Sequence, residues 1–355
     1  MTGIAETTTP TVWLDLPDAP PVPGLRFRAF RDLADYEPMS SVMCAAARAD
    51  DIPWLPTADH LRIENEGDDG ISPPDDIVFA EIDGVAVAVA GSDRVVRDDV
   101  PTYEIWGYID PTARRRGIGT ALFARNLARV HERAAAVDPG LPVVIGAHAE
   151  DGQEGDRILA ETNRFEPVRT FYLMRRDLGA PIPDAPLPEG IELRPVTPEQ
   201  HRAIYDAQVD AFRDHWGHRE GSKHGFEATY ARKELDTSLW AVAWAGDEVA
   251  GVVENWIWAD ENAQLGIERG WLEKVSVRRP FRRKGLARAL VAESLRRFRD
   301  AGMTHGMLGV DATNPLGALP LYEGVGFEVE RRELAYRRTD KPAAADDAKV
   351  PATGG

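Results

Sequence analysis

The sequence predicts an α/β (α+β) fold in which one unit is built twice. Three observations carry this expectation. The basic stretch Arg282-Arg283-Lys284-Gly285-Leu286-Ala287 has a counterpart 168 residues earlier (282 − 114), Arg114-Arg115-Arg116-Gly117-Ile118-Gly119. Each stretch lies between an apolar, β-branched run and an amphipathic run of helical period. A Pro-rich segment, residues 179–190, separates residues 25–178 from residues 191–338, two pieces of ordinary domain size. Similarity at so long a spacing indicates duplication of a whole domain rather than a short solenoid repeat.

The elements follow in the same order in both halves. In the first half, residues 25–30 read as a strand, 33–48 as helix, and the stretch through Pro74 as polar loop. Residues 77–82 and 85–92 form strands joined at Asp83-Gly84, a hairpin signal. A strand at 102–109 leads into the first basic loop, and a helix at 118–136 carries Leu122, Phe123, Leu127 and Val130 on its apolar side. A strand (143–147), a short helix (155–161) and a last strand (170–177) complete the unit. The second half repeats it: a strand at 191–196, a helix at 198–213 opened by Pro198, and more helix at 226–233. Strands at 238–245 and 248–258 pair across Gly246-Asp247, and a strand at 271–277 runs into the second loop. The helix at 286–301, a strand (307–310), a helix (317–323) and a closing strand (328–337) end it.

Composition bounds the function. The 355 residues carry a formal net charge of −17 and are 43% hydrophobic, so each half can bury a core. Such an acidic surface argues against wholesale binding to nucleic acid or to anionic membrane. Positive charge concentrates at the two loops, as a small polyanionic ligand requires. Cys44 is the single cysteine and reads as a small buried hydrophobe, so a reducing compartment is permitted. No stretch approaches the ~20 apolar residues of a membrane span. Residues 1–24 are Thr/Pro-rich, lack a signal-peptide pattern and read as flexible; residues 339–355 read as a disordered tail. The expectation is a cytoplasmic monomer or homodimer.

The loops themselves point to an anion. A strand that turns through a Gly-rich basic loop into a helix N-terminus offers unpaired backbone N–H groups and a favourable dipole. Gly285 lets the backbone approach a phosphate, and the flanking arginines add charge-assisted hydrogen bonds. Downstream, the second half adds Asn314-Pro-Leu-Gly-Ala318-Leu-Pro-Leu-Tyr322-Glu-Gly-Val-Gly326-Phe327. Together the elements and motifs resemble the GNAT (Gcn5-related N-acetyltransferase) superfamily. Its R-x-x-G-x-G/A phosphate loop and its N-x-x-A-x-x-x-Y-x-x-x-G-F ending occur here in the right order. The tandem arrangement is similar to that of mycothiol synthase-like two-domain acetyltransferases. This resemblance implies two tandem GNAT domains, each a central mixed, mostly antiparallel sheet flanked by helices, with acetyl-CoA as co-substrate and an amine as acceptor.

What the resemblance implies for individual residues differs between the halves. In the second half, Arg282, Arg283, Lys284, Gly285, Leu286, Ala287 and Arg288 hold the pyrophosphate. The pantetheine lies along Val275, Ser276 and Val277, and Asn314 bonds its arm. Tyr322 protonates the departing thiolate; a phenol of pKa ~10 suits that acid role. In the first half, Ile109, Arg114, Arg115, Gly117, Ile118 and Gly119 are the corresponding loop positions. Aligning the closing segments, however, sets Ala160 opposite Tyr322 and Gly152 opposite Asn314. The first half is therefore expected to be non-catalytic and the second catalytic.

The residues leave some roles open. Glu273 shares a strand face with Val275 and Val277 and is a candidate general base; Glu254 and Asn255 are lesser candidates. A packing Tyr322 and a salt-bridged Glu273 are the plain alternatives. Acceptor recognition is expected from the loop at 214–224. His215 and His218 in that loop lack a third ligand at characteristic spacing, so no metal is expected. Trp256, Trp258 and Trp271 read as core or pocket wall. Desacetylmycothiol, an aminoglycoside, a polyamine and a protein N-terminus all remain open as acceptors. The alternative to an enzyme is a non-enzymatic acyl-CoA-binding regulatory protein, which would have no need of a leaving-group acid; Tyr322 and Asn314 favour the enzyme.

Overall fold

The computed structural model describes residues 10–66, 70–314 and 317–342. The first half runs β1 (Trp13–Leu14), β2 (Leu25–Ala29), α1 (Tyr36–Ala49), α2 (Ala58–Asn65), α3 (Pro73–Asp76), β3 (Ile77–Ile82), β4 (Val85–Arg97), β5 (Val100–Ile109), α4 (Ile118–Val137), β6 (Val143–Glu150), α5 (Glu154–Thr162) and β7 (Glu166–Asp177). The second half runs β8 (Glu192–Leu193), α6 (His201–Phe212), α7 (Lys223–Tyr230), β9 (Ala241–Ala245), β10 (Glu248–Trp256), α8 (Ala259–Leu265), β11 (Arg269–Val277), α9 (Leu286–Asp300), β12 (His305–Asp311), α10 (Ala318–Glu323) and β13 (Glu328–Asp340).

All these strands join one sheet in the order β1-β2-β3-β4-β5-β6-β13-β7-β12-β11-β10-β9-β8. Only β5/β6 and β11/β12 are parallel neighbours; the rest are antiparallel. The centre of the order contains an exchange. The first half's last strand, β7, pairs with β12 of the second half, while β13 inserts between β6 and β7. The cores follow the strands. Met174 and Leu178 of the β7 region pack with Leu290, Leu295 and Phe298 of α9, and Tyr336 of β13 packs with Tyr103, Val130 and Ile145. Met174 is fully buried, which contributes about 1.5–3 kcal/mol from a side chain that belongs to the other half.

Turn chemistry explains the hairpins. Asp83 and Gly84 both take positive φ (51° and 83°), the pattern a two-residue turn needs, while at the second hairpin Gly246 alone does so (59°). β4 and β5 run past their expected ends because Asp98 and Asp99 also take positive φ and close a longer hairpin.

Several expectations are corrected. The flexible segment expected at residues 1–24 contains β1, which pairs with β2, and Leu14 and Leu16 pack on the core beside α4; residues 1–9 lie outside the described residues. The polar loop expected before Pro74 contains α2, capped by Thr57, whose Oγ1 accepts from His60 N. Helix α8 was not expected either. The strand expected from 238 begins at Ala241, because Asp236 accepts from Ser238 N and Ser238 Oγ and folds those residues into a 3₁₀ turn. The segment at 179–190 is strapped down: buried Arg176 donates to Pro181 O at 2.7 Å, and Ile182 and Leu187 pack on the second core. The tail expected from 339 starts later, since β13 reaches Asp340; residues 343–355 lie outside the described residues.

Candidate active site

The two basic loops have the same backbone. Arg115 and Arg283 take φ of 62° and 61°, and Gly117 and Gly285 both take 85°. Each loop follows a 3₁₀ turn and ends at a helix, α4 or α9, whose first turn has no side-chain cap among the described residues. Uncapped N–H groups beneath a positive-φ glycine are suited to an anion.

The leading arginine of each loop does a different job from the one expected. Arg282 donates through Nε to Val277 O at 2.8 Å, through Nη1 to Asp214 Oδ2 at 2.5 Å and through Nη2 to Ala211 O at 2.8 Å. Arg114 repeats this pattern on Ile109 O (3.2 Å) and Asp50 (2.6 and 2.8 Å). Both guanidinium groups thus turn away from the loop mouth and tie it to the end of α6 or α1. The loop shape is fixed by this tie, and the Arg279 and Arg282 guanidiniums hold the Asp214 carboxyl well below the usual range. Cationic side chains at the mouth of the second loop come from Arg283, Lys284 and Arg288, all exposed.

Beyond the loops the halves diverge. A Cβ at Gly285 would meet nothing within 4 Å, whereas one at Gly117 would lie 3.1 Å from Pro20 Cβ. A Cβ at Gly119 would lie 3.0 Å from Ile109 Cδ1, so a side chain there would have to displace the tip of Ile109, where the second loop carries Ala287. At Gly152, opposite Asn314, even a Cβ would come within 3.4 Å of Arg331 Nη2 and Asp50 O. Asp156, in α5 beside the first loop, is raised to about 6 by desolvation and by Asp50, despite Arg114. Gly117 itself is exposed and, with Arg115 and Gly119, lines a chamber of about 1630 Å³, so what a phosphate at the first loop meets beside it is the Asp156 carboxyl.

In the second half, β11 pairs with β12 through Arg269, Gly270 and Trp271 only and the strands then part, as β5 and β6 do after Glu104 in the first half. Leu272 and Lys274 to Val277 remain paired to β10, with Glu273 bulged out of register between them, so Glu273 does not keep the face expected with Val275 and Val277. None of these residues has a β12 partner among the described residues, which leaves one main-chain edge for an extended ligand. Val275 and Val277 are half-buried on one face, while Ser276 points the other way, its Oγ donating to Val252 O at 3.1 Å. Asn314 sits in the turn after β12, where its N–H donates to Asp311 O at 3.1 Å. Tyr322, on α10, is 6% exposed and meets Phe327 edge-on at 5.9 Å. Its hydroxyl has no hydrogen-bond partner among the described residues, and burial pushes its pKa above the ordinary phenol value. Ala160 holds the aligned place in the first half.

Beside this cleft lies a cavity of about 340 Å³. Its floor includes Glu254, Glu273 and Trp271, and its walls include Trp256 and Trp258. Glu273 Oε1 accepts from Trp258 Nε1 at 3.1 Å. Its carboxyl faces solvent inside a cleft walled by protein. The resulting partial desolvation raises its pKa above the ordinary Glu value, Glu254 raises it further, and Trp258, Lys274 and Arg232 oppose the rise. Glu254 is buried and paired with Lys274 at 3.2 Å. Asn255 is spent on structure, its Nδ2 donating to Leu239 O at 2.6 Å.

The far wall was not foreseen. Trp54, His60 and Glu64 of the first half close the cavity, joined by Arg232. The loop at 214–224, expected there, instead docks on the β4–β5 turn: Gly217 N and His218 N donate to Asp98 at 3.0 and 3.2 Å. It lines a larger chamber of about 1630 Å³ between the halves, which shares Glu64, Arg232 and Glu273 with the smaller cavity. His215 and His218 belong to that loop, and no metal-binding cluster occurs among the described residues.

The Acetyltransferase (GNAT) family profile matches residues 40–142 and 201–327, once in each half. The chain belongs to the GNAT acetyltransferase family. Among relatives, a mycothiol acetyltransferase of Geodermatophilus obscurus is 27% identical over 313 residues, covering 86% of this chain and 95% of that one. One from Salinispora arenicola is 30% identical, covering 65% and 71%. A GCN5-related N-acetyltransferase from Sphaerobacter thermophilus superposes with a TM-score of 0.69 at 26% identity, covering 93% and 98%. A tandem GNAT protein from the clavulanic acid biosynthesis pathway shares the fold, with a TM-score of 0.61 at 17% identity, covering 90% and 100%. This chain is thus a tandem GNAT enzyme, an N-acetyltransferase, and the family's co-substrate is acetyl-CoA. The open Gly285, the uncapped start of α9 and the free edge of β11 fit that co-substrate. Among the described residues no helix is long and apolar enough to cross a membrane.

Proposed function

We propose that this GNAT protein transfers the acetyl group of acetyl-CoA directly to a primary amine, and that residues 191–338 hold the working site while residues 25–178 do not turn over. The observation that carries this reading is the inequality of two loops with one backbone. Gly285 is open and is followed by Asn314 and Tyr322; Gly117 lies against Pro20 and is followed by Gly152, Asp156 and Ala160. In the mechanism, Arg283 to Arg288 take the pyrophosphate and the pantetheine extends along β11. The amine nitrogen attacks the thioester carbonyl carbon while its proton passes, through water, to Glu273. A carboxyl raised toward the working pH serves better as a base than an ordinary one. As the tetrahedral centre collapses, the C–S bond breaks and Tyr322 gives its proton to the thiolate, leaving the amide and free CoA.

The carboxylates of the 340 Å³ cavity favour an acceptor that arrives as an ammonium ion. The names of the relatives make desacetylmycothiol one member of the test panel; spermidine, an aminoglycoside and a peptide with a free N-terminus are the others. The assay follows free thiol released from acetyl-CoA with each amine. Release that depends on an amine, with the N-acetyl product found by mass spectrometry, supports the reading. Tight acetyl-CoA binding with no acetylated product from any primary amine refutes it. The enzyme is placed in the cytoplasm, as a monomer or homodimer.

A further inference from the structure

The acceptor cavity is completed by the half that lacks a counterpart of Tyr322, and the contact reaches the reacting groups. Trp258 lies just past the end of β10, where the chain has left the sheet, so strand geometry no longer sets its ring. Packing does so instead. Trp256 stacks on the indole (5.1 Å, 9°), and His60, from α2 of the first half, stacks on it too (5.2 Å, 28°). His60 Nε2 lies 3.0 Å from Glu64 Oε1, Arg232 Nη2 donates to that same oxygen at 2.9 Å, and the Arg232 guanidinium sits 5.6 Å over the indole. The indole N–H, held by this ring of side chains, is the donor to Glu273.

The segment before α2 is itself anchored to the second half. Leu55 N donates to Glu261 Oε1 at 2.9 Å, and Arg269 Nη2 donates to Pro53 O at 2.6 Å and Glu261 Oε2 at 2.8 Å. Glu261 and Arg269 are both buried, so the tie is rigid. We propose that His60 and Glu64 are positioning residues for the reaction of the other half: with Arg232 they clamp the Trp258 indole, and the indole fixes Glu273 toward the acceptor. The proposal rests on Glu273 as base. It gives the first half a share in catalysis through a helix and not through its own phosphate loop.

The test needs no acceptor. In ¹⁵N-indole NMR of the full chain, the Trp258 N–H signal, assigned by its loss in Trp258→Phe, reports protonation of the carboxylate it serves. The groups sharing the cavity with Glu273 are Glu254 from β10, Lys274 from its own strand, Arg232 and Glu234 from beyond α7, His60 and Glu64 from α2, and Asp260 and Glu261 from α8. A control with Glu273→Gln removes the titration. His60→Ala is expected to raise the midpoint by about 0.5–1 pH unit, because the ionised carboxylate loses a firmly held donor. His60→Phe keeps a stacked aromatic ring without the imidazole nitrogens and is expected to return the midpoint to that of wild type. An unmoved midpoint in His60→Ala, or one equally high in His60→Phe, overturns the clamp. In turnover with the best panel amine, His60→Ala is expected to lower kcat/KM for the amine several-fold and leave the acetyl-CoA KM unchanged. If Glu273→Gln retains full turnover while the midpoint still moves in His60→Ala, the base assignment fails and the clamp stands.

Discussion

Tyr322→Phe separates the acid role of this residue from its packing role. The substitution deletes one oxygen and keeps the ring, so the edge-on contact with Phe327 and the place of the ring in the second core persist. The hydroxyl has no protein partner among the described residues, so no buried donor or acceptor is stranded by its loss. The expected stability change is within about 1 kcal/mol, a shift of no more than about 2 °C in Tm for a chain of this size. Turnover is expected to change far more. General acid catalysis contributes ~10²–10⁴-fold in favourable cases. A thiolate is a good leaving group that needs less help, so a loss of roughly ten- to a hundredfold in kcat is expected, or about 1.4–2.7 kcal/mol of barrier. Calorimetric affinity for acetyl-CoA should be unchanged. The assay is thiol release at saturating acetyl-CoA beside a thermal melt of each protein. If kcat stays within twofold of wild type at equal Tm, Tyr322 is a packing tyrosine and the acid assignment is wrong.

Further expectations follow from the inequality of the loops and from the exchanged strands. Gly285→Glu should abolish acetyl-CoA binding and activity by placing a carboxylate in the open loop, while Gly117→Glu should keep most activity; the reverse outcome would move the working site to the first half. Calorimetry should count one acetyl-CoA per chain, and two would show that the contact of Pro20 with Gly117 does not block the first loop. Since burial and Glu254 raise the Glu273 carboxyl, the acidic limb of kcat/KM for the amine should lie above the ordinary Glu value, with activity lost as pH falls through it. Glu273→Gln should remove that limb together with most of the turnover, and a limb that survives points to another base. Residues 179–355 produced alone should aggregate, because β12 loses β7 and β13 loses both its neighbours. Co-production with residues 1–178 should restore a soluble, active pair, and a folded, active 179–355 by itself refutes the exchange.

Local features of the fold were legible and long-range ones were not. A strand, a basic glycine loop and a helix announce themselves within about 30 residues, and both loops take the shape their glycines require. The partners of the leading arginines lie 64 and 68 residues away, so nothing near Arg114 or Arg282 distinguishes an anion ligand from a structural tie. Helix α2 was missed because Leu61 is its sole buried residue among eight, which leaves no apolar stripe to read. Its Thr57 cap was the one available signal. The docking of the loop at 214–224 depends on Asp98, some 120 residues earlier. The exchange of β7 and β13 was invisible because a closing strand of either half offers the same pattern to either sheet.

These long-range features share a consequence for how the two halves divide the work. A family motif of six residues specifies loop conformation, and here it does so twice with nearly equal dihedral angles. The surroundings of the two loops differ elsewhere: a Cβ at Gly117 would meet Pro20, Asp156 and Ala160 stand on α5, and Tyr322 stands on α10. On the proposed assignment, the half that does not turn over is still bound into the enzyme at two points. Its last strand completes the sheet and core of the other half, so removing it exposes β12. Its α2 completes the 340 Å³ cavity proposed for the acceptor, so removing it opens the wall opposite Glu273. The first half therefore cannot be discarded as a spent duplicate. On the proposed assignment the reacting site is a property of the pair, with the chemistry in one unit and part of its framing in the other.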